Sequence, residues 1–432
     1  MTESRRFTIP HLRWYIIFSV FLITAVNYIY RMTLGLSANN IMDEFSLNKE
    51  QFGLLVAGFM WTYMFSQLFG GIFVDRVGVR LGLGLAVLWW ALSSAFAGLA
   101  GTIPFVSGLT LLLIHRIFLG AGEGLNWPAG VKVSSEWFPI KERSFATSIF
   151  NTGSTVGATI ATVLIAWIIQ QWGWRWAFGA VGVFGVLFGA YWLIIYRKPS
   201  QHPLLSAEEL NYINSGESKS KEESVKPFTK KWFAYLANRD ILALCLARFL
   251  QDPIWWFYTN WIAIFLNEKF EVNILKIGIL WMFPMIAADL GNLAGGGISS
   301  LLYAKFGKSL NFSRKSVLVF SQWMMVLGIF AALTKSIYVS VFFMSWSCFF
   351  YSVYGTTVLT IPADIFDHRY VASISGLTGF FAGLGGALTM WLIGVIWQKY
   401  GVVPVFVWAA FTPVLVSMLI LFLLRELKER KA

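Results

Sequence analysis

The sequence is short of charge, cysteine and histidine. Charged residues make up 13% of the 432 residues, with two cysteines and four histidines. Soluble domains carry roughly twice that charged fraction. Cys245 and Cys348 both lie in apolar stretches, so they predict neither a disulfide framework nor a metal site. There is also no phosphate-binding glycine loop and no nucleophile motif, so we expect no cofactor and no enzymatic activity.

Apolar residues make up most of the composition. They account for 57% of the chain, with 39 phenylalanines and 21 tryptophans. A soluble core of this size could not bury so much apolar surface, so the surrounding solvent must be lipid. A net charge of +12 would favour nucleic-acid binding in a soluble protein. Here the basic residues lie between apolar runs, so membrane topology explains them and we expect no nucleic-acid partner.

Apolar runs of about 20 residues, the length that crosses a bilayer as a helix, recur along the chain. The first set of predicted spans is 14–36, 51–74, 81–100, 105–131, 145–170 and 174–196. The second set is 241–266, 275–302, 317–334, 337–362, 371–397 and 402–424. The pattern predicts an all-α membrane protein with twelve transmembrane helices in two six-helix bundles, and a substrate site at the interface of the two halves.

A polar stretch, 197–239, separates the two sets and has SGESKSKEESVK at its centre. That composition cannot form a packed core, and it predicts a solvated linker. The predicted division is therefore an N-terminal bundle at 1–196, a cytoplasmic linker at 197–239 and a C-terminal bundle at 240–432. We interpret the first apolar run as a span, since no cleavage site of small residues follows it.

The basic residues between spans alternate between a rich side and a poor side. The poor side holds six basic residues, Lys49, Arg175, Lys269, Lys276, Lys335 and Lys399. The rich side holds both termini, most of the linker and the remaining loops. By the positive-inside rule the rich side is cytoplasmic, which predicts a multi-pass inner-membrane protein with both termini in the cytoplasm.

Six ionisable residues fall inside predicted spans, where charge is costly and commonly marks a ligand or proton pathway. They are Arg31, Arg116, Glu123, Arg248, Asp252 and Asp289. Arg116 and Glu123 are seven residues apart on one helix, which places them on one face about 10 Å apart along the axis.

Guanidinium groups stay charged and bind carboxylates through two hydrogen bonds, so Arg31 and Arg116 are predicted to hold a substrate carboxylate. Low dielectric disfavours an ionised carboxyl group, which makes Glu123 the first candidate for carrying a proton. The alternative is that these residues form buried ion pairs that only fix helix packing. Arg248 and Asp252 have i,i+4 spacing and can neutralise each other, so a proton role for Asp252 stays open, as does one for Asp289.

Polar and aromatic side chains accompany these charges and suit a sugar ring, since they combine apolar faces with hydrogen-bonding groups. The candidates for substrate contact are Tyr28, Tyr63, Asn151, Ser154, Trp256 and Tyr258. For the tryptophans of the seventh span, lipid contact or interface anchoring is an alternative.

The loop after the second span reads Gly71-Ile-Phe-Val-Asp75-Arg76-Val-Gly78-Val-Arg80. It is similar to the signature loop of the major facilitator superfamily, G-x-x-x-D-R-x-G-x-R, with every fixed position present. We expect it to act as a conformational latch, in which Asp75 caps and pairs with basic groups at the cytoplasmic face.

The fourth span, RIFLGAGEGLNWP from Arg116, and the following EWFPIKERSFATSIFNTG resemble the anion:cation symporter family. The resemblance implies that Arg31 and Arg116 bind a substrate carboxylate, that Glu123 carries the proton, and that Tyr63 is the family's second-span tyrosine. Finer motifs, DPIWWFY, AADLG and LTIPADIF, resemble the hexuronate branch. One position departs from the family, because Tyr30 stands where many members have an acid before Arg31.

The resulting hypothesis is a proton-coupled symporter that imports a sugar acid anion, with glucuronate or galacturonate foremost, by alternating access. Its partners would be the anion, the proton and the lipid bilayer, and family members usually work as monomers. The alternatives are a facilitator or exchanger of an aldonate, an aldarate or sialic acid, or a non-transporting membrane sensor. The absence of an acid at position 30 leaves the number of protons open, and sodium dependence is also open.

Overall fold

The computed structural model describes residues 8–215, 236–272 and 274–427, and the described residues form helices and connecting loops without a strand. The α-helices are α1 Leu12–Leu36, α2 Ala38–Phe45, α3 Lys49–Val77, α4 Val79–Ala97, α5 Gly108–Glu123, α6 Asn126–Trp137, α7 Ile140–Trp172, α8 Trp174–Ile195, α9 Ala207–Ile213, α10 Arg239–Phe270, α11 Ile274–Ala304, α12 Leu310–Met324, α13 Phe330–Leu333, α14 Ile337–Ile365, α15 Val371–Tyr400 and α16 Val403–Leu423. Short 3₁₀ segments cover Pro199–Gln201 and Met325–Ile329.

An all-helical chain is what a bilayer imposes, because hydrocarbon offers no partner for backbone N–H and C=O groups. Among the described residues, eleven helical stretches are long and apolar enough to cross a membrane. The remaining predicted span, the seventh, corresponds to α10, which is 32 residues long and carries Arg248 and Asp252. Each of the twelve predicted apolar runs therefore corresponds to a long helical stretch.

Two of these stretches are interrupted. The fourth consists of α5 and α6, with the break at Gly124 and Leu125 immediately after Glu123. The ninth passes from α12 through the 3₁₀ segment Met325–Ile329 into α13. Hydropathy predicted both as continuous runs, because a local change in helix winding leaves apolar composition unchanged.

The chain divides into two compact units. Unit 1 comprises residues within Met1–Pro139, Ile149–Ser215 and Asp367–Gly376. Unit 2 comprises residues within Ile140–Ser148, Gly216–Phe366 and Leu377–Ala432. Helix α7 therefore begins in unit 2 and continues in unit 1, and α15 begins in unit 1 and continues in unit 2.

Each unit contains its own apolar core, and many large apolar side chains point outward. The core of unit 2 includes Phe257, Phe265 and Met344, each fully buried. By contrast Trp176 is 66% exposed and Phe422 is 75% exposed. Outward-facing aromatics on long helices are suited to contact with lipid.

The first part of the predicted linker is packed against unit 1. Glu209 on α9 accepts hydrogen bonds from the backbone N–H groups of Leu12 and Arg13, at 3.0 and 3.3 Å. The Arg13 guanidinium also donates to Glu209 at 2.7 Å and lies 4.7 Å from the centre of the Tyr212 ring. Glu209 therefore satisfies two of the four N–H groups that the start of α1 leaves free.

His202 lies in the same segment and has a defined tautomer. Its Nδ1 accepts a hydrogen bond from the Leu204 N–H, and its Nε2 donates to the Ile195 carbonyl, at 3.3 and 3.2 Å. Burial lowers the pKa of His202 and keeps this neutral form. The solvated linker predicted for 197–239 is thus ordered and docked up to Ser215, while nearly all of SGESKSKEESVK lies outside the described residues.

The Glu209 contacts predict a measurable loss of stability on Glu209→Gln. The variant removes the charge that faces the start of α1, and a cap of this kind contributes about 1–2 kcal/mol. We expect a lower midpoint of thermal unfolding for the purified protein, measured by intrinsic fluorescence. Glu208→Gln is the matched control, since Glu208 is exposed on the same helix. Equal midpoints for the two variants would contradict the capping role.

Candidate functional site

The polar site of unit 1 is built where α5 lies directly against α3. Gly120 makes this approach necessary, since a Cβ there would collide with Thr62 Oγ1 and with the Phe59 carbonyl. Small residues allow helix backbones to pack closely in membranes. The contact places Arg116 and Glu123 of α5 beside the aromatic face of α3.

Helix α7 approaches α1 in the same way. A Cβ at Gly157 would collide with the Ala25 carbonyl, so the two backbones are in direct contact there. This brings the polar face of α7, which carries Asn151 and Ser154, to the polar face of α1. The geometry of the site is therefore set by backbone contacts at glycines.

The centre of the site is an ion pair between two helices. Arg31 Nε of α1 donates to Glu123 Oε2 of α5 at 2.6 Å, and Glu123 is fully buried. Their spacing in the sequence places Arg116 and Glu123 on one face of the same helix. The structure pairs Glu123 with Arg31 instead, because two helical turns separate Arg116 from Glu123 whereas α1 lies alongside.

Both guanidinium groups lie against aromatic rings. Arg31 Cζ lies 4.9 Å from the ring centre of Tyr28, 5.3 Å from that of Phe59 and 4.3 Å from that of Tyr63. Arg116 Cζ lies 4.4 Å from the same Phe59 ring. The negative faces of these rings stabilise cations at membrane depth. Phe59 therefore lies against both arginines.

Arg116 is buried without a carboxylate. Arg116 is 5% exposed, and its Nε donates a hydrogen bond to the Leu55 carbonyl at 3.2 Å. Its Nη1 has no hydrogen-bond partner, and none of the ion pairs formed by described residues includes Arg116. Arg31 Nη2 and Glu123 Oε1 are also buried without partners. The site thus presents two guanidinium donors and one carboxylate oxygen that are free for a ligand.

Smaller polar groups border the charges. The Tyr28 hydroxyl lies beside the hydroxyl of Ser154, which also donates to the Asn151 carbonyl at 2.7 Å. Asn27, fully buried, lies beside the Glu123 carboxylate. Of the six predicted polar and aromatic contacts, Tyr28, Tyr63, Asn151 and Ser154 lie on the helices that form this site.

The remaining intramembrane charges lie in unit 2. Arg248 donates from Nε and Nη2 to Asp252 Oδ2 at 3.0 and 2.9 Å, so these two residues form the i,i+4 pair that their spacing allowed. A third donor, Arg248 Nη1, reaches Thr378 Oγ1 at 3.3 Å. Asp289 is half-buried on α11, three residues before Asn292, whose amide oxygen accepts a hydrogen bond from Thr356.

The two aromatic candidates of α10 have different surroundings. Trp256 is half-buried and packs over Gly386, where a Cβ would lie 2.9 Å from its ring. Tyr258 is 2% exposed in the apolar core of unit 2, with the Phe257 and Phe406 rings 5.2 and 6.5 Å away. Tyr258 therefore occupies a core position, since two residues along a helix turn a side chain to nearly the opposite face.

The signature loop forms a defined set of contacts at the end of α3. Asp75 Oδ1 accepts a hydrogen bond from Lys132 Nζ at 2.6 Å. Its carboxylate also accepts the backbone N–H groups of Ala372 and Ser373, at 3.3 and 2.7 Å, and the Ser373 hydroxyl. Asp75 therefore places a negative charge at the N-terminus of α15, where the helix dipole favours it.

The other signature positions support this contact. A Cβ at Gly71 would collide with the Ala372 carbonyl, and Gly78 has φ +83° at the joint between α3 and α4. Arg80 Nε donates to the Leu193 carbonyl at 2.8 Å, whereas Arg76 is exposed. The glycines thus allow close approach at Gly71 and a positive φ at Gly78 that other residues would not adopt without strain.

Sequence reasoning missed a second buried charge cluster, in unit 2. Arg314 Nε donates to Asp364 Oδ2 at 2.7 Å, and Arg143 lies 3.7 Å from Asp364 Oδ1. All three are at most 2% exposed. Arg143 and Arg314 lie between predicted spans, so the sequence assigns them to the loops of the basic side, because hydropathy does not reveal burial at helix ends. Phe59 was also missed, although its i,i+4 spacing to Tyr63 places it on the same helix face.

No group of three or more His, Cys, Asp or Glu side chains suited to a metal ion occurs within the described ranges. The polar site offers arginine donors and a single carboxylate, a set that suits an anion.

Comparisons with known proteins agree with this architecture. The model of the Major Facilitator Superfamily matches residues 20–308. The chain is 32% identical to the hexuronate transporter of Escherichia coli K12 over 400 residues, covering 92% of this chain and 90% of that protein. It is also 32% identical to the galacturonate transporter of Dickeya chrysanthemi, over 74% of this chain and 91% of that one.

A solved structure shares the fold. The structure of a proton:xylose symporter bound to 6-bromo-6-deoxy-D-glucose superimposes with a TM-score of 0.75 at 14% identity, covering 97% of this chain and 98% of that one. These matches confirm the predicted all-α, twelve-helix architecture and the resemblance to hexuronate transporters. The chain belongs to the Major Facilitator Superfamily, and it is a multi-pass membrane transporter, not an enzyme.

Proposed function

We propose that this protein is a proton-coupled symporter that imports a sugar acid anion, a hexuronate such as glucuronate or galacturonate foremost. The observation that supports this most directly is Arg116, a buried cation with a free Nη1 and no acidic partner among the described residues. A buried charge of this kind is costly unless something pairs with it. A substrate carboxylate would supply the missing partner.

The relatives support the choice of anion. Proteins named as transporters of hexuronate, galacturonate and D-galactonate align over most of this chain. All of these substrates carry a carboxylate on a hydroxylated carbon chain. Tyr28, Ser154 and Asn151 border the arginines and would bind substrate hydroxyls.

The coupling step uses the ion pair at the centre of the site. With Glu123 ionised, Arg31 is bound to it at 2.6 Å and is only partly available to a ligand. A proton on Glu123 would release Arg31, so that both arginines face the substrate carboxylate. Proton and anion would then favour each other's binding, and this reciprocity is what coupling requires.

The loaded carrier would release both to the cytoplasm by alternating access between two six-helix halves, 1–196 and 240–432, joined by the linker 197–239. Asp75, with Gly71, Arg76, Gly78 and Arg80, would act as a latch for one conformation through its contact with the start of α15. The protein would work as a monomer in the inner membrane of a bacterium, with both termini in the cytoplasm.

Arg116 provides the test of the binding site. Arg116→Gln is expected to weaken glucuronate binding about 10- to 100-fold, since a hydrogen bond to a charged group contributes roughly 1.5–3 kcal/mol. Binding would be measured by titration calorimetry on protein in lipid nanodiscs. Ile117→Leu, on the exposed side of the same helix, is the control and should bind as wild type does. Undiminished binding by Arg116→Gln would rule out the proposed contact.

Glu123 provides the test of coupling. In proteoliposomes, Glu123→Gln is expected to abolish accumulation of radiolabelled glucuronate driven by an inward proton gradient, while counterflow exchange continues. The amide stays neutral, so it releases Arg31 but cannot return a proton. Glu136→Gln makes the same change further along the fourth span, where Glu136 accepts a hydrogen bond from Tyr196, and should retain accumulation. Loss of exchange together with accumulation would argue against a pure coupling role.

A further inference from the structure

We propose that this transporter carries one proton with one singly charged sugar acid, so that each cycle moves no net charge. This inference rests on the proposed function and adds its stoichiometry. It comes from the number and placement of charges in unit 1.

The charges at the site are few and all are buried. Around Glu123 lie Arg31, Tyr28 and Tyr30 from α1 and Arg116 from its own helix, and Tyr63 from α3 lies against Arg31. Arginine stays protonated in proteins, and an unperturbed tyrosine titrates near pH 10, so Glu123 is the group of this set that can exchange a proton. With Glu123 ionised, two positive charges and one negative charge leave a net charge of +1.

The other acids in the spanning helices of unit 1 have their own partners. Asp75 is held by Lys132 and by the start of α15. It lies twelve residues beyond Tyr63 on α3, about 18 Å along the helix axis. Glu136 accepts the Tyr196 hydroxyl at 2.6 Å and lies in α6, beyond the break after Glu123. Within the described part of unit 1, neither is in contact with the arginines of the site.

Position 30 is turned away from the site. The Tyr30 hydroxyl donates to the Val181 carbonyl of α8 at 2.6 Å, and the side chain is 1% exposed. Gly185 leaves room for it, because a Cβ there would collide with the Tyr30 hydroxyl. This phenol therefore binds α8 to α1 and adds no second proton carrier next to Arg31.

Unit 2 holds two further acids that could carry a proton, Asp252 on α10 and Asp289 on α11. Asp252 receives two donors from Arg248 on the same carboxylate oxygen, so the pair is neutral without a ligand. A proton on Asp252 would leave Arg248 as an uncompensated buried charge, which opposes its use as a second carrier.

The net charge of the binding site is then the same when the site is loaded as when it is empty. The empty site returns with Glu123 ionised and carries +1. The loaded site holds a neutral Glu123, two arginines and one substrate carboxylate, and it also carries +1. A membrane potential therefore acts equally on both steps, and accumulation follows the proton gradient alone. A dicarboxylate such as an aldarate would instead make the loaded site neutral and transport electrogenic.

The test separates the two components of the proton-motive force. Wild-type protein in proteoliposomes is given radiolabelled glucuronate with a tenfold inward proton gradient at zero potential, or with an inside-negative potential of about 100 mV, set by potassium and valinomycin, at equal pH. We expect about a tenfold gradient of glucuronate from the first, since one proton accompanies one anion. We expect less than a twofold gradient from the second.

The outcomes are distinct. A potential of 100 mV corresponds to about 50-fold for each net charge moved. Accumulation on that scale would mean a second proton, for which Asp289 is the remaining acid, and would overturn the inference while leaving proton coupling intact. Exclusion of glucuronate by the inside-negative potential would mean that the anion moves without a proton, and it would also overturn the inference. No response to the proton gradient, with counterflow intact, would instead refute proton coupling itself.

Tyr30→Phe is the control variant, because it removes only the hydrogen bond to Val181. It is expected to retain electroneutral accumulation, with a lower midpoint of thermal unfolding. If Tyr30→Phe changed the response to potential, the phenol would belong to the proton pathway and a single carrier at Glu123 would be wrong.

Discussion

The low dielectric of the membrane interior is the constraint on which the rest of this structure depends. It requires every backbone polar group to be paired within the chain, which gives long helices, and it makes each buried charge expensive unless a partner is near. Most buried charges here meet that requirement through an adjacent helix, as Arg31 does with Glu123 and Arg314 with Asp364. Among the buried arginines that the structure describes, Arg116 forms no ion pair. In the proposed function, the substrate carboxylate pairs with this arginine.

Close helix packing at glycines determines which of these side chains can pair. At Gly120 and Gly157 two backbones touch, so helices that are far apart in the chain bring their polar faces within hydrogen-bonding distance. The arginines of the site then lie on a platform of aromatic rings rather than in open hydrocarbon. Close backbone contact, aromatic rings and an ion pair thus act together to hold two buried guanidinium groups in one site.

Much of the fold follows from hydropathy, because helix length and apolar composition are properties of one segment at a time. The helix breaks after Glu123 and at Met325 could not be predicted, since they change winding and leave composition unchanged. For the site, the sequence identified the charged residues, because arginine and glutamate inside an apolar run are unusual wherever they face. The sequence could not predict which of these charged residues pair with each other. Whether Glu123 meets Arg31 or Arg116 depends on how helices pack, and the burial of Tyr258 depends on which face of α10 meets the core.

The contact between Glu209 and the start of α1 bears on how the protein is made. The two partners, Leu12 and Glu209, are separated by 197 residues. At a synthesis rate of 5–20 residues per second, the first helix waits about 10 to 40 s for the residue that caps it. All six spans of the first half are translated in that interval. The cap can therefore form only after all six spans of the first half have been synthesised.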